Sequence, residues 1–152
     1  MGDLGRAEHV VLLACNIDDM TGEELGHALE QMLALGALDA WHTPIVMKKS
    51  RPAVVFSVLA RAADAPRLRE AMLMHTTTLG VRSQELERVA CERREITVNT
   101  RWGSVRCKLK LLHGQIAGIK PEYEDCARLA LANNLTLQAV RHEAMRLAQE
   151  SL

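Results

Sequence analysis

Apolar positions recur along the chain with two different periods. His9-Val-Val-Leu-Leu-Ala-Cys-Asn-Ile17 is apolar almost throughout, the pattern of a central strand covered on both faces. From Thr21, three residues before Glu24 as in a capping box, Leu25, Ala28, Leu29, Met32 and Leu33 return with helical spacing until Gly36 stops them. Ala37–Met47 and Ala53–Ala60 are again short apolar runs, and the few residues between them predict an antiparallel hairpin. Asp64-Ala-Pro66 opens a second helix whose Leu68, Ala71, Met72 and His75 share a face. That helix meets Thr76-Thr-Thr78 and Gly80, where branched side chains and glycine disfavour helix. A fourth strand, weaker in pattern, falls within Val81–Cys91. The order βαββαβ over residues 9–91 predicts a ferredoxin-like domain in an α+β chain, a fold class that carries no function by itself.

Beyond Cys91 alternation dominates. Ile96, Val98, Thr100 and Trp102 alternate, Gly103-Ser104 makes a turn, and Val105, Cys107, Leu109 and Leu111 alternate again with Arg106, Lys108 and Lys110 on the other face. This is a hairpin with one basic side. His113-Gly114 turns the chain into a third strand, Gln115–Ile119, and Pro121 starts a helix to about Asn133-Asn134. Thr136 caps a last helix with Leu137, Val140, Ala144 and Leu147 as its stripe. Residues 92–152 thus form a small β-hairpin or meander plus two-helix unit, packed directly on the first domain.

Composition narrows the function classes. The 19 basic and 19 acidic residues balance, so the molecule has no overall pull toward nucleic acid or an anionic membrane, and any anion site must be local. One Phe, one Tyr and two Trp are too few for a base-stacking platform. Cys15, Cys91, Cys107 and Cys126 lie far apart with no paired spacing, as reduced residues of a cytoplasmic protein do, and the six histidines match no ligand motif. No apolar run approaches a membrane span and no signal peptide precedes the first strand.

Three stretches carry candidate chemistry. Met47-Lys-Lys-Ser-Arg-Pro52 gathers Lys48, Lys49 and Arg51 on a strand-to-strand turn, either spread into solvent or collected around a polyanion. Asp18-Asp19 ends the first strand, where carboxylates either cap the next helix or hold Mg²⁺ with phosphate oxygens. Thr76-Thr-Thr-Leu-Gly-Val-Arg82 offers hydroxyls, backbone amides and a guanidinium to phosphate, or is simply a helix end breaking into a strand. Glu122, Glu124 and Asp125 read as favourable charges in a helix's first turn. The topology places the basic turn beside the threonine run, at the sheet edge opposite Asp18-Asp19. On this reading the acidic pair reaches them only across a subunit interface, and the domain is a homo-oligomer.

The chain resembles the carboxyl-terminal half of the LarC family. The resemblance rests on Asn16-Ile-Asp-Asp-Met20 with Glu23, Gly36-Ala-Leu-Asp39, Met47-Lys-Lys with Arg51-Pro52, Thr76–Arg82, Gly103 with Val105 and Lys108, and Pro121–Asp125. It implies a domain that binds CTP with Mg²⁺ or Mn²⁺ in a CTP-dependent nickel cyclometallase, a lyase. That enzyme inserts Ni²⁺, as substrate, into a pyridinium bisthiocarboxylate mononucleotide to complete the nickel-pincer cofactor of lactate racemase. Lys48, Lys49, Arg51, Thr76, Thr77, Thr78, Arg82 and Lys108 become the implied nucleotide contacts, and Asp18 and Asp19 the implied metal ligands. The resemblance also implies a missing amino-terminal half that handles nickel or precursor, so that this chain holds Mg-CTP without stably holding Ni²⁺. In the enzymatic reading the precursor's phosphate attacks the α-phosphorus of CTP and pyrophosphate leaves. The alternative is a ferredoxin-like ligand-binding and oligomerisation module without its own chemistry.

Overall fold

The computed structural model describes residues 5–152, in two compact units. The first, Ala7–Arg88, is built on β1 (Arg6–Ile17), α1 (Gly22–Ala34), β2 (Asp39–Met47), β3 (Arg51–Arg61), α2 (Ala65–His75) and β4 (Arg82–Ala90). Its sheet has the order β2-β3-β1-β4, with β3 antiparallel to both β2 and β1, which is the split βαβ arrangement. β1 is central, as its apolar run predicts. One of its faces, Leu13, Cys15 and Ile17, is sealed by the helices, whereas Leu12, Ala14 and Asn16 on the other are only half-buried. Phe56 and Val58 of β3, Met32 of α1 and Leu68 and Met72 of α2 complete a fully buried core.

Local signals set the ends of the helices. Thr21 and Glu24 form the reciprocal capping box: the Glu24 amide donates to Thr21 Oγ1 at 3.3 Å and the Thr21 amide donates to Glu24 Oε2 at 2.7 Å. At the other end Gly36 takes φ +87°, and the Ala37 amide reaches back to the Met32 carbonyl at 3.0 Å, which closes α1.

The second unit, Val89–Leu152 with Gly5 and Arg6, holds the three-stranded antiparallel sheet β5 (Glu92–Thr100), β6 (Gly103–Leu112) and β7 (Gln115–Pro121). Helices α3 (Tyr123–Ala132) and α4 (Leu137–Glu150) cover it through Val105, Cys107, Cys126, Val140 and Ala144. Two boundaries differ from expectation. The β5–β6 turn is Arg101-Trp102, with Gly103 already paired to Thr100. Gly103 has φ +137°, and a Cβ there would sit 2.8 Å from the Leu129 side chain, so glycine is required twice over. Pro121 is buried at the end of β7, opposite Cys107, and does not start the helix. The next residue makes the bond to β6, the Glu122 amide donating to the Arg106 carbonyl at 2.8 Å, so Pro121 stands at a position where the alternating ladder asks no N–H of it.

Candidate functional site

β1 and β2 both run antiparallel to β3, so they run parallel to each other and their carboxyl ends lie at the same end of the sheet. Ile17 pairs with Val54 and Met47 with Arg51, which brings the basic turn beside the acidic pair within one chain. The expectation that these elements lie at opposite ends of the sheet and meet only across a subunit interface therefore does not hold. α2 runs back to the same end and delivers the threonine run.

The contacts are direct. Arg51 Nη1 donates to Asp18 Oδ2 at 3.0 Å, Thr77 Oγ1 donates to Asp19 Oδ1, and Arg82 Nη2 donates to Asn16 Oδ1 at 2.6 Å. Because Thr21 already caps α1, neither aspartate is occupied as a cap. Asp18, Asp19, Asn16, Thr77, Thr78, Gly80 and Arg82 line one cavity of about 570 Å³ with Met47 and Leu79. The loop over it is held by its own hydroxyls: Thr76 Oγ1 donates to the Met72 carbonyl at 2.7 Å, and Thr78 Oγ1 donates to the Gly80 carbonyl at 3.0 Å. Beneath lies the fully buried Cys15. Burial pushes its thiol pKa up, while the Thr78 hydrogen bond, the Arg82 charge and the Thr76 hydrogen bond work against that rise.

The basic turn is a single 3₁₀ turn, Lys48–Ser50, with Lys49 at φ +61° and Ser50 at φ +55°. Two consecutive left-handed residues without glycine are costly, so the surroundings must impose the conformation. Lys48 and Lys49 are exposed, and only Arg51 of the three cations is drawn into an ion pair among the described residues. Lys108 belongs to the second unit, where its ammonium meets Glu122 Oε1 at 2.8 Å. Asp125 accepts from the Arg106 amide and guanidinium at 3.0 and 2.9 Å, which holds its pKa below the usual carboxylate range. Glu124 is exposed in the first turn of α3.

Asn16 joins the cavity unannounced by the sequence, because an amide inside an apolar strand gives no signal until its partner is known. The chemistry of the site is mixed: two carboxylates, the Arg82 guanidinium, the Asn16 amide and two threonine hydroxyls face one cavity, with Arg51 bound to Asp18 at its edge. That donor set fits a magnesium–polyphosphate, in which carboxylates take the metal and cations take phosphate oxygens.

Residues 3–141 match the family model described as nickel insertion protein. A relative from Thermomicrobium roseum is 43% identical over 141 residues, 93% of this chain and 35% of its own length. A Geobacillus kaustophilus relative, described as pyridinium-3,5-bisthiocarboxylic acid mononucleotide nickel insertion protein, is 37% identical over 147 residues, 97% of this chain and 36% of its own. The chain therefore spans about a third of the length of the curated relatives it matches. The solved apo structure of LarC2, the C-terminal domain of a cyclometallase involved in synthesis of the NPN cofactor of lactate racemase, superposes with a TM-score of 0.86 at 38% identity. That match covers 95% of this chain and 99% of LarC2.

Proposed function

Because this chain belongs to the nickel insertion protein family, we propose that it is the carboxyl-terminal, CTP- and magnesium-binding domain of a CTP-dependent cyclometallase. The whole enzyme would insert nickel into a pyridinium bisthiocarboxylate mononucleotide and so complete the nickel-pincer cofactor of lactate racemase. One observation carries the nucleotide reading: Asp18, Asp19, Arg51, Thr77, Thr78 and Arg82 converge on one end of one sheet. The exposed Arg51–Asp18 pair contributes little stability. A metal–polyphosphate carries both charges needed to replace each partner of that pair.

Asp18 and Asp19 would hold Mg²⁺ or Mn²⁺, and Arg51 and Arg82 the phosphate oxygens, with Lys48 and Lys49 screening charge from the turn. The bound metal supplies neutralisation of charge on the phosphate oxygens. The chain's own part is to orient the triphosphate and hold its charge while the precursor's phosphate attacks the α-phosphorus and pyrophosphate leaves. Lys108, a further contact that the family resemblance implies, lies in the second unit and pairs with Glu122 there. Assembly into a homo-oligomer would cover the exposed apolar side chains Leu79, Val46 and Met74, and sedimentation velocity would test it against a monomer.

A thermal-shift panel of nucleotides with and without Mg²⁺ tests the reading, since a ligand bound only by the folded state must raise its stability. CTP with Mg²⁺ should raise the midpoint most. Equal shifts for every nucleotide, or none, would sink it.

A further inference from the structure

Beside the phosphate-type cavity, between α1 and α2, lies a second cavity of about 440 Å³ lined by Met20, Glu23, Glu24, His27, His75 and Thr77. The two histidines are 48 residues apart in sequence, yet their rings stand edge to face with centres 6.4 Å apart. Two imidazoles sharing one ion at about 2.1 Å from each nitrogen have ring centres no more than roughly 6.5 Å apart, so the pair is already within reach of a single ion. Glu23 precedes His27 by one helical turn and therefore rises from the same face of α1. Met20 adds a thioether at the helix entrance. Glu24 is committed to the capping box and is no ligand.

From this juxtaposition we infer that His27 and His75, with Glu23 closing on the ion and Met20 alongside, form a transfer site for a divalent transition metal. Imidazole and thioether select nickel over magnesium, whereas the Asp18-Asp19 carboxylates select the hard ion. The chain thus sorts two metals into adjacent cavities. Thr77 is the shared wall, facing His75 in one and bonded to Asp19 in the other.

Among the described residues no three His, Cys, Asp or Glu side chains are already gathered around one point. The site therefore closes by rotation of His27 and Glu23, both exposed, around the half-buried His75. A site assembled from mobile ligands holds its ion loosely, which suits cargo that must be handed to a sulfur-bearing acceptor. The choice of nickel among transition metals rests on the family reading; the ligand set does not depend on nucleotide binding.

The test is calorimetric titration of the chain with Ni²⁺ alone in a millimolar excess of Mg²⁺, on wild type, His27→Ala, His75→Ala, His75→Gln and Asp18→Asn. Mg-CTP affinity is measured on the same samples. Wild type should bind one Ni²⁺. Each histidine variant should lose at least the roughly tenfold that removing even an outer hydrogen-bond partner of a metal ligand costs. The circular dichroism of these variants should be unchanged, and Asp18→Asn should keep nickel while losing Mg-CTP. Nickel affinity equal in wild type and both alanine variants overturns the site, as does a parallel loss of Mg-CTP in them. If no variant nor wild type binds CTP but nickel follows the histidines, the nucleotide reading falls and the nickel site stands.

Discussion

In Val89–Leu152 the acidic start of α3 meets basic β6: Asp125 takes Arg106 through backbone and side chain, and Glu122 takes Lys108. In Ala7–Arg88 Asp18 instead meets Arg51 from 33 residues away and Arg82 meets the Asn16 amide from 66 residues away, with Lys48 and Lys49 left in solvent. The first arrangement satisfies its charges internally and joins a strand to a helix. The second leaves charge available to a ligand. Similar residue types thus differ in how far they are paired: the first unit joins Arg51 to Asp18 but leaves Asp19, Arg82, Lys48 and Lys49 without an ion pair among the described residues.

The strongest way to break this comparison is to remove charge from the open end. Arg82→Ala and Arg51→Ala should each weaken Mg-CTP by about 1.5–3 kcal/mol, the scale of a charge-assisted hydrogen bond, with little change in melting temperature. If both variants melt early and bind normally, the first unit uses its charges as the second does.

Asp18→Asn and Asp19→Asn sharpen the assignment of metal against phosphate. Both should weaken CTP binding measured with Mg²⁺ more than binding without it, because the amide keeps the size of the side chain but loses the charge the ion needs. Equal losses in both conditions would mean general damage to the loop.

Removing charge from the closed unit should do the reverse. Asp125→Asn should cost up to about 1 kcal/mol, limited because Arg106 is half in water, and Lys108→Ala less, with Mg-CTP affinity unchanged for both. A nucleotide titration that shows Lys108→Ala losing affinity like Arg82→Ala would place Lys108 among the ligand contacts.

The smallest effect is a difference in acid sensitivity. His42 packs on Phe56 with ring centres 4.9 Å apart, its Nε2 is buried without a partner, and burial lowers its pKa below 6.5. The folded imidazole stays neutral where the unfolded one takes a proton, so its contribution is intact above about pH 6.5 and is lost as pH falls through the folded value. Asp125, lowered chiefly by its Arg106 hydrogen bonds, keeps its contribution above the ordinary value of 3.8 and loses it only below. Melting curves from pH 7 to 5 should therefore show wild type falling relative to His42→Leu, while Asp125→Asn diverges from wild type by a constant amount in that range. Parallel curves for His42→Leu and wild type would remove His42 as the cause.

What could be read along the chain was whatever is decided within a few residues. The capping box at Thr21 and Glu24, the stop at Gly36 and the alternation through β5 and β6 involve neighbours in sequence, so side-chain period and backbone chemistry suffice to place them. The residue types of the site were legible as well, since Asp18-Asp19, Lys48-Lys49, Arg51 and Thr76–Arg82 stand in short clusters. The left-handed pair Lys49 and Ser50 was not, because no glycine or asparagine marks it. Which clusters meet was decided only by strand order. Placing β3 between β1 and β2 makes those two parallel, and this alone brings Asp18 to Arg51 within one chain. Packing α1 against α2 likewise joins His27 to His75, two residues that are scattered in sequence because contacts between helices carry no periodicity that the chain itself displays.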